Sequence, residues 1–244
     1  MGGLVLTETL RILAILPAFN EAESLSHTIR DLRTGPVPVD IVVVDDGSRD
    51  ATTRVAHELG VAVLTLPFNL GIGGAVQTGF RYAHRHGYDI AFQFDSDGQH
   101  FAREIPALIA PITVRQADVT VGSRFVGQTQ TYRQTTTRRA GGMLLSTLIY
   151  LLGGTRYTDV TSGFRAYNAK ALGVVVHDYP QDFPEPESLL TCRRYNLRVA
   201  EVPVEMGHRV GGVSSINTWK SLYYMIKVSL ALCIERLRTR ERGV

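Results

Sequence analysis

The chain has 244 residues, 44% hydrophobic and 20% charged, with 26 basic against 23 acidic residues for a net charge of +3. Such a composition suits one large α/β domain with a sizeable core and excludes a disordered, collagenous or coiled-coil chain. The charge is too mild to indicate a nucleic-acid partner, and two distant cysteines, Cys192 and Cys233, exclude a disulfide framework or zinc ribbon.

In chain order, Ile12–Leu16 is a continuous apolar run that predicts a buried strand ended by Pro17. Arg11 interrupts the preceding apolar residues, so the N-terminus does not read as a secretory signal. Asn20 with Glu23 predicts a capping box, and Leu25, Ile29 and Leu32 the helix behind it, stopped by Gly35-Pro36. Ile41–Val44 is a second strand, ended by Asp45-Asp46-Gly47-Ser48. A helix with Val55 and Leu59 follows, closed by Gly60. Val61–Leu66 is a third strand, and Ile72, Val76, Phe80 and Ala83 stripe the next helix. Gly71-Ile-Gly73-Gly74 follows the third strand rather than the first, so it is not a dinucleotide fingerprint; its glycines are expected to bring helix close to sheet. Ile90–Phe94 is a fourth strand, ended by Asp95-Ser96-Asp97-Gly98. Ile105, Leu108 and Ile109 mark a helix, and Val119–Val121 a fifth strand. This alternation predicts a mostly parallel sheet with helices on both faces, and ligands at the carboxyl ends of its strands.

From Val119 to Thr158 there is no Asp or Glu, while Arg124, Arg133, Arg138, Arg139 and Arg156 fall inside. A solvated face explains such a bias, but a basic loop facing phosphate groups explains its place after the sheet edge better. The apolar stretches Gly141–Gly154 and Leu222–Ile234 fall short of the ~20 residues a spanning helix needs. The expected location is therefore the cytosol, or a membrane surface on its cytoplasmic side.

Asp95-x-Asp97 is the sharpest chemical feature. Its turn lets both carboxylates converge on one hard cation, Mg²⁺ or Mn²⁺, with Gln99 or His100 close by. The competing reading is an ordinary Asx-rich turn. Of Asp45 and Asp46, one is expected to cap the turn with Ser48 and the other to accept hydrogen bonds from a nucleotide. No nucleophile elbow, activated cysteine or HExxH pair occurs.

Pro17-Ala-Phe-Asn-Glu21, Val44-Asp-Asp-Gly-Ser-Arg-Asp50 and Asp95-Ser-Asp-Gly-Gln-His100, in that order, resemble the nucleotide-sugar glycosyltransferases of the GT-A fold, family 2 type. Val121-Gly-Ser-Arg-Phe125, Asp159-Val-Thr-Ser-Gly-Phe-Arg165, Glu185-Pro-Glu187 and Arg209-Val-Gly-Gly-Val-Ser-Ser215 narrow the resemblance to dolichyl-phosphate mannose synthases and bacterial polyprenyl-phosphate glycosyltransferases. It spans about Ile12 to Ile216. The resemblance implies that Pro17, Phe19, Glu21, Val44 and Asp46 hold the base and ribose of a UDP- or GDP-linked sugar. It places the metal on Asp95, Asp97 and Gln99, and Ser96 along the diphosphate. Arg124 and Arg209 would meet phosphates, Asp159 and Arg165 would shape the acceptor side, and Glu185 and Glu187 would lie near the reaction centre. The implied activity is inverting, metal-dependent transfer to a polyprenyl phosphate. The eukaryotic synthases carry a Lys where Ser215 stands. A soluble sugar or glycan acceptor is the alternative, and a catalytically silent nucleotide-sugar binding module is the alternative of another class.

On this reading 10–216 form the GT-A domain and 217–244 a separate amphipathic helix. Trp219, Leu222, Tyr223, Ile226, Leu230 and Ile234 recur at helical spacing near Lys220 and Lys227, and Arg236, Arg238, Arg240 and Arg242 follow. This pattern predicts peripheral contact with a membrane; packing on the domain or in a homo-oligomer is the alternative. Donor binding is expected to survive removal of Trp219–Val244.

Overall fold

The computed structural model describes residues 10–127, 136–207 and 218–238, with the side chains of 136–140 and 218–224 left undescribed. The elements run β1 (Ile12–Ala18), α1 (Ala22–Thr34), β2 (Asp40–Asp45), α2 (Thr52–Glu58), β3 (Ala62–Thr65), α3 (Gly71–Arg85), β4 (Ile90–Gln93), α4 (Ile105–Thr113) and β5 (Val119–Ser123). They continue with α5 (Thr136–Gly153), β6 (Arg165–Asn168), α6 (Ala169–Val175), α7 (Pro184–Arg194), β7 (Val199–Pro203) and α8 (Thr218–Leu237).

The strands form a seven-stranded sheet in the order β3-β2-β1-β4-β6-β5-β7. Only β6 runs antiparallel to its neighbours. Alternate side chains of each strand feed opposite faces. Ile12, Ala14, Leu16 and Val43 join Leu25, Ile29, Leu108 and Ile109 on one face. Leu13, Ile15, Val42 and Val44 meet Val76, Phe80, Ala83 and Leu172 on the other. The expected mostly parallel, two-faced sheet is therefore present.

Several local expectations are corrected. Strand β1 does not end at Pro17: Pro17 pairs with Val44 and Ala18 with Asp45. Its missing N–H falls beyond the last β1–β4 pair, Ile15–Gln93, where it breaks no ladder bond. The capping box is absent. Asn20 is left-handed (φ 56°), its Oδ1 accepts the Arg49 amide at 2.8 Å, and its amide donates to Ser48 Oγ at 2.9 Å. That spends Asn20 on tying the β1 and β2 loops together. Glu21 takes the N-cap position without a side-chain cap bond. Ile72 is exposed rather than part of the α3 stripe. The glycine that brings α3 against the sheet is Gly79, where a Cβ would lie 2.2 Å from Ile15 Cγ2. One at Gly73 would instead strike the Gln181 backbone at 2.3 Å.

Helix α8 is no separate unit. Val228 and Leu232 are buried with Val121, Leu145, Ile149, Leu189 and Leu190. Arg194 of α7 also bridges Asp178 at 2.5 Å and Glu235 of α8 at 3.0 Å. Removing Trp219–Val244 would open this core and take Glu235 away from Arg194, so the expectation that truncation spares the rest of the molecule is withdrawn.

Candidate active site

The carboxyl ends of β1, β2 and β4 bring together the residues singled out in the sequence. At the end of β2, Asp45 Oδ1 accepts the Ser48 amide at 2.9 Å and its other oxygen pairs with Thr53 Oγ1. Asp46 accepts the amides of Leu70 at 2.7 Å and Gly71 at 2.9 Å, holding the start of α3. Burial pushes its carboxyl above the ordinary range, against the pull of those two amides. So Asp45 is the local cap, and Asp46 fastens the β3–α3 loop to the carboxyl end of β2. Phe19 is exposed, whereas Glu21 Oε2 accepts Ser24 Oγ at 2.7 Å. Val44 is buried beneath α3, and Pro17 is buried in β1. Ser96 is buried, and its hydroxyl donates to Pro17 O at 2.8 Å. That bond tethers the turn to β1.

The acidic turn is built around a buried imidazole. The Asp95 amide donates to His100 Nδ1 at 2.9 Å, and His100 Nε2 lies 3.7 Å from Asp95 Oδ2. His100 stacks on Phe164 at 4.6 Å. Burial lowers its pKa, against the opposing field of Asp95 and Asp97, and the hydrogen-bond pattern assigns the neutral form with Nε2–H. Its acceptor nitrogen is committed, so His100 orients Asp95. Gln93 Nε2 donates to Asp95 Oδ1 at 2.7 Å. Asp97 accepts the Gln99 amide at 3.0 Å and Gln99 Nε2 at 2.5 Å. A Cβ at Gly163 would come within 3.4 Å of Asp95 Oδ2 and 2.7 Å of Gln93 Nε2, so glycine keeps this side of the turn open. Two oriented carboxylates beside such a gap fit Mg²⁺ or Mn²⁺, which take one or two carboxylates and leave positions for phosphate oxygens. Among the described residues no cluster of three or more His, Cys, Asp and Glu side chains forms a closed cage.

Arg124 follows β5. Its Nε and Nη2 reach the two Asp159 oxygens at 2.7 Å each, its amide donates to Asp159 Oδ2 at 3.1 Å, and Nη2 reaches Thr161 Oγ1 at 3.0 Å. Asp159 thus holds the guanidinium in a fork. Arg124 also depresses the pKa of His100, so its charge reaches the acidic turn. Arg165 is buried and spans Ser162 O at 2.8 Å, Ser188 Oγ at 2.7 Å and Val160 O at 3.2 Å, pinning the loop before β6 to α7.

Glu185 and Glu187 point apart, because residues two apart on a helix diverge by roughly 200°. Burial raises the Glu185 pKa, with the charge of Arg165 opposing that shift and the charge of Asp95 adding to it. Glu187 instead lines a cleft of about 300 Å³ with Gln77, Arg81 and Arg238. Helix α7 therefore does not bring the two carboxylates together. The buried Glu187 Oε1 has no hydrogen-bond partner among the described residues. Burial, then the neighbouring Glu235, push its pKa to about 7. The folded state therefore keeps a proton that the unfolded chain releases, and stability falls as pH rises from 4.5 to about 7. Glu187→Gln is expected to remove that dependence and add about 1–2 kcal/mol at pH 8, allowing for solvent screening at a half-buried carboxyl. Urea unfolding at pH 5 and pH 8 checks this. Arg209, with the segment around it, lies outside the described residues.

Sequence reasoning missed Gln93, Gly163 and Glu201. Gln93 and Gly163 become visible only when β4 and the loop before β6 are adjacent. Glu201 lies on β7, in register with Val121, and nothing in its local sequence marks it.

The sheet, with its acidic turn at the carboxyl end of β4, defines a GT-A-type glycosyltransferase fold. The crystal structure of glucosyl-3-phosphoglycerate synthase from Mycobacterium tuberculosis, with Mn²⁺, uridine diphosphate and glucosyl-3-phosphoglycerate, superposes with a TM-score of 0.69. It shares 22% identity and covers 96% of this chain and 82% of that one. The model of glycosyl transferase family 2 matches residues 13–175, and the chain belongs to that family. It is 32% identical to the undecaprenyl-phosphate mannosyltransferase of Micrococcus luteus over 95% of this chain and 99% of that protein. It is also 32% identical to the UDP-N-acetylglucosamine–dolichyl-phosphate N-acetylglucosaminyltransferase of Methanococcus voltae, over 80% of this chain and 84% of that one.

Proposed function

We propose that this protein transfers a sugar from a nucleotide-sugar donor to a polyprenyl phosphate, with inversion at the anomeric carbon, while lying on a membrane surface. The observation that carries the reading is the Asp95–Asp97 turn set at the same sheet edge as the Asp159-held Arg124. When sugar leaves a nucleoside diphosphate, negative charge grows on the leaving oxygen. A guanidinium fixed beforehand stabilises that charge without reorganising. A divalent cation, held by Asp95 and Asp97 with Gln99, would supply Lewis-acid stabilisation of the same diphosphate. Phe19, Glu21 and the Asp46-tethered loop would hold the nucleoside, Glu185 would face the reacting sugar, and Arg209 would contact a phosphate. An acceptor phosphate is already anionic near neutral pH. The reaction then needs no strong general base, in keeping with a His100 whose acceptor nitrogen already takes the Asp95 amide.

The lipid side of the reading rests on α5 and α8. Ile226, Leu230 and Ile234 of the expected stripe are 61%, 60% and 54% exposed, and Met143, Leu144, Tyr150 and Leu151 of α5 are exposed as well. Leu144, Leu148, Leu151 and Leu230 line an apolar groove of about 420 Å³ between the two helices. Lys227 and Arg236 lie exposed on α8. Among the described residues no helix is long and apolar enough to cross a membrane, so this face would lie on the bilayer surface.

Replacing Ile226, Leu230 and Ile234 together by Glu is expected to cut binding to anionic liposomes at least tenfold. Each half-exposed aliphatic side chain contributes roughly 1 kcal/mol of apolar burial, and the new charges repel anionic lipid. The melting temperature should stay within a few degrees, because Val228, Leu232 and Glu235 keep α8 docked. Sedimentation at low and high salt reads the result. Unchanged pelleting of the folded variant would refute the membrane face.

A further inference from the structure

Arg124 is held by Asp159, and the structure also shows what holds Asp159. Glu201, on the edge strand β7, turns its carboxylate to the loop that carries Asp159. The Thr158 amide donates to Oε1 at 2.9 Å and to Oε2 at 2.8 Å, Thr158 Oγ1 to Oε1 at 3.0 Å, and the Asp159 amide to Oε1 at 2.8 Å. Thr158 Oγ1 also meets Ser123 Oγ at 2.8 Å, and Ser123 is the residue before Arg124. One carboxylate therefore gathers two successive amides and a hydroxyl, and the circuit returns to the strand end from which Arg124 projects. Main-chain amides donating to a carboxylate make strong, directional bonds. Rotation of the 158–159 peptide would swing the Asp159 side chain, and the Arg124 fork with it.

We propose that Glu201 is a positioning residue for the transfer reaction, acting through the Thr158–Asp159 backbone to aim the Arg124 guanidinium at the developing phosphate charge. The inference rests on the reading of Arg124 given above. Glu201 touches neither Arg124 nor the acidic turn through any described bond, and it contributes only by fixing where its neighbours point. A guanidinium displaced by even ~1 Å loses much of its value to a transition state, while ground-state donor binding, shared among many contacts, changes less.

The test is a double-mutant cycle between Glu201 and Arg124. UDP-glucose, UDP-N-acetylglucosamine and a GDP-linked hexose are each supplied with undecaprenyl phosphate and Mg²⁺ or Mn²⁺, and the cycle is run with the donor that the wild-type chain uses. Glu201→Ala should lower kcat about tenfold with donor KM changed less than threefold. Glu201→Gln keeps an acceptor oxygen and should recover kcat to within threefold of wild type. Arg124→Lys keeps the charge but loses the fork and should lower kcat strongly. In that background Glu201→Ala should cost no further rate, although its loss of thermal stability should persist. A residue that only stabilises the fold would lower rate equally in both backgrounds, or not at all, and either result overturns the proposal. If Glu201→Ala does not fold, Glu201→Asp, too short to reach both amides, must still lower kcat; a wild-type kcat there overturns it as well. Wild-type turnover by Arg124→Lys would instead overturn the assignment of Arg124 itself.

Discussion

Asp97→Asn is expected to lower kcat at least 10³-fold, about 4 kcal/mol of transition-state stabilisation, with the fold intact. The residue is buried at the end of a rigid strand–turn unit, and its two oxygens are oriented by the Gln99 amide and side chain. The substitution removes the charge at nearly constant volume. One of the two Gln99 donors would then face an amide donor, a local cost of about 1 kcal/mol that a domain of this size absorbs. Initial rates at saturating Mg²⁺ or Mn²⁺, together with a thermal melt, separate lost chemistry from lost fold. Near-normal turnover would remove Asp97 from the metal site.

Asp159→Ala is expected to act on rate and stability together. Asp159 is 1% exposed, and the Arg124 side chain it grips is 12% exposed. Breaking such a pair leaves a charge in poor solvent, at about 3–5 kcal/mol for a fully buried case and nearer 3 here, because Arg124 keeps some water. The guanidinium also loses the fork that aims it, and kcat should fall about 10²-fold or more. Urea unfolding and steady-state kinetics on the same preparation measure both effects. Wild-type kcat in a folded Asp159→Ala protein would show that Arg124 needs no such hold.

The parallel half of the fold was legible because each of its strands is a short apolar run that a turn residue ends, and because α1, α3 and α4 carry apolar residues at helical spacing. Strand β6 was not legible. Arg165-Ala-Tyr-Asn168 is short and begins with a buried arginine, whose donors are satisfied by carbonyls of the loop leading into it and by Ser188 of α7. The acidic turn was legible because its residues are adjacent in sequence. The Arg124–Asp159 pair joins residues 35 apart; the resemblance named each of them, but nothing in the sequence pairs them. Asn20 had the composition of a cap but the backbone of a left-handed turn, a choice set by the neighbouring β2 loop. The opposite aims of Glu185 and Glu187 were open to view from helical geometry alone. Likewise, Ile226, Leu230 and Ile234 of the α8 stripe share one exposed face, but the Val228, Leu232 and Glu235 face that docks the helix was overlooked.

The most direct measurement is transfer itself, with the purified full chain, undecaprenyl phosphate in detergent, Mg²⁺ or Mn²⁺, and labelled UDP- and GDP-linked hexoses offered in turn. The account predicts that label from one donor enters an organic-extractable product that mild acid releases as free sugar. Formation of that product should require the added lipid phosphate and should be lost in Asp97→Asn. Label transferred only to a soluble acceptor, or donor bound and released unchanged with every lipid preparation, would contradict it.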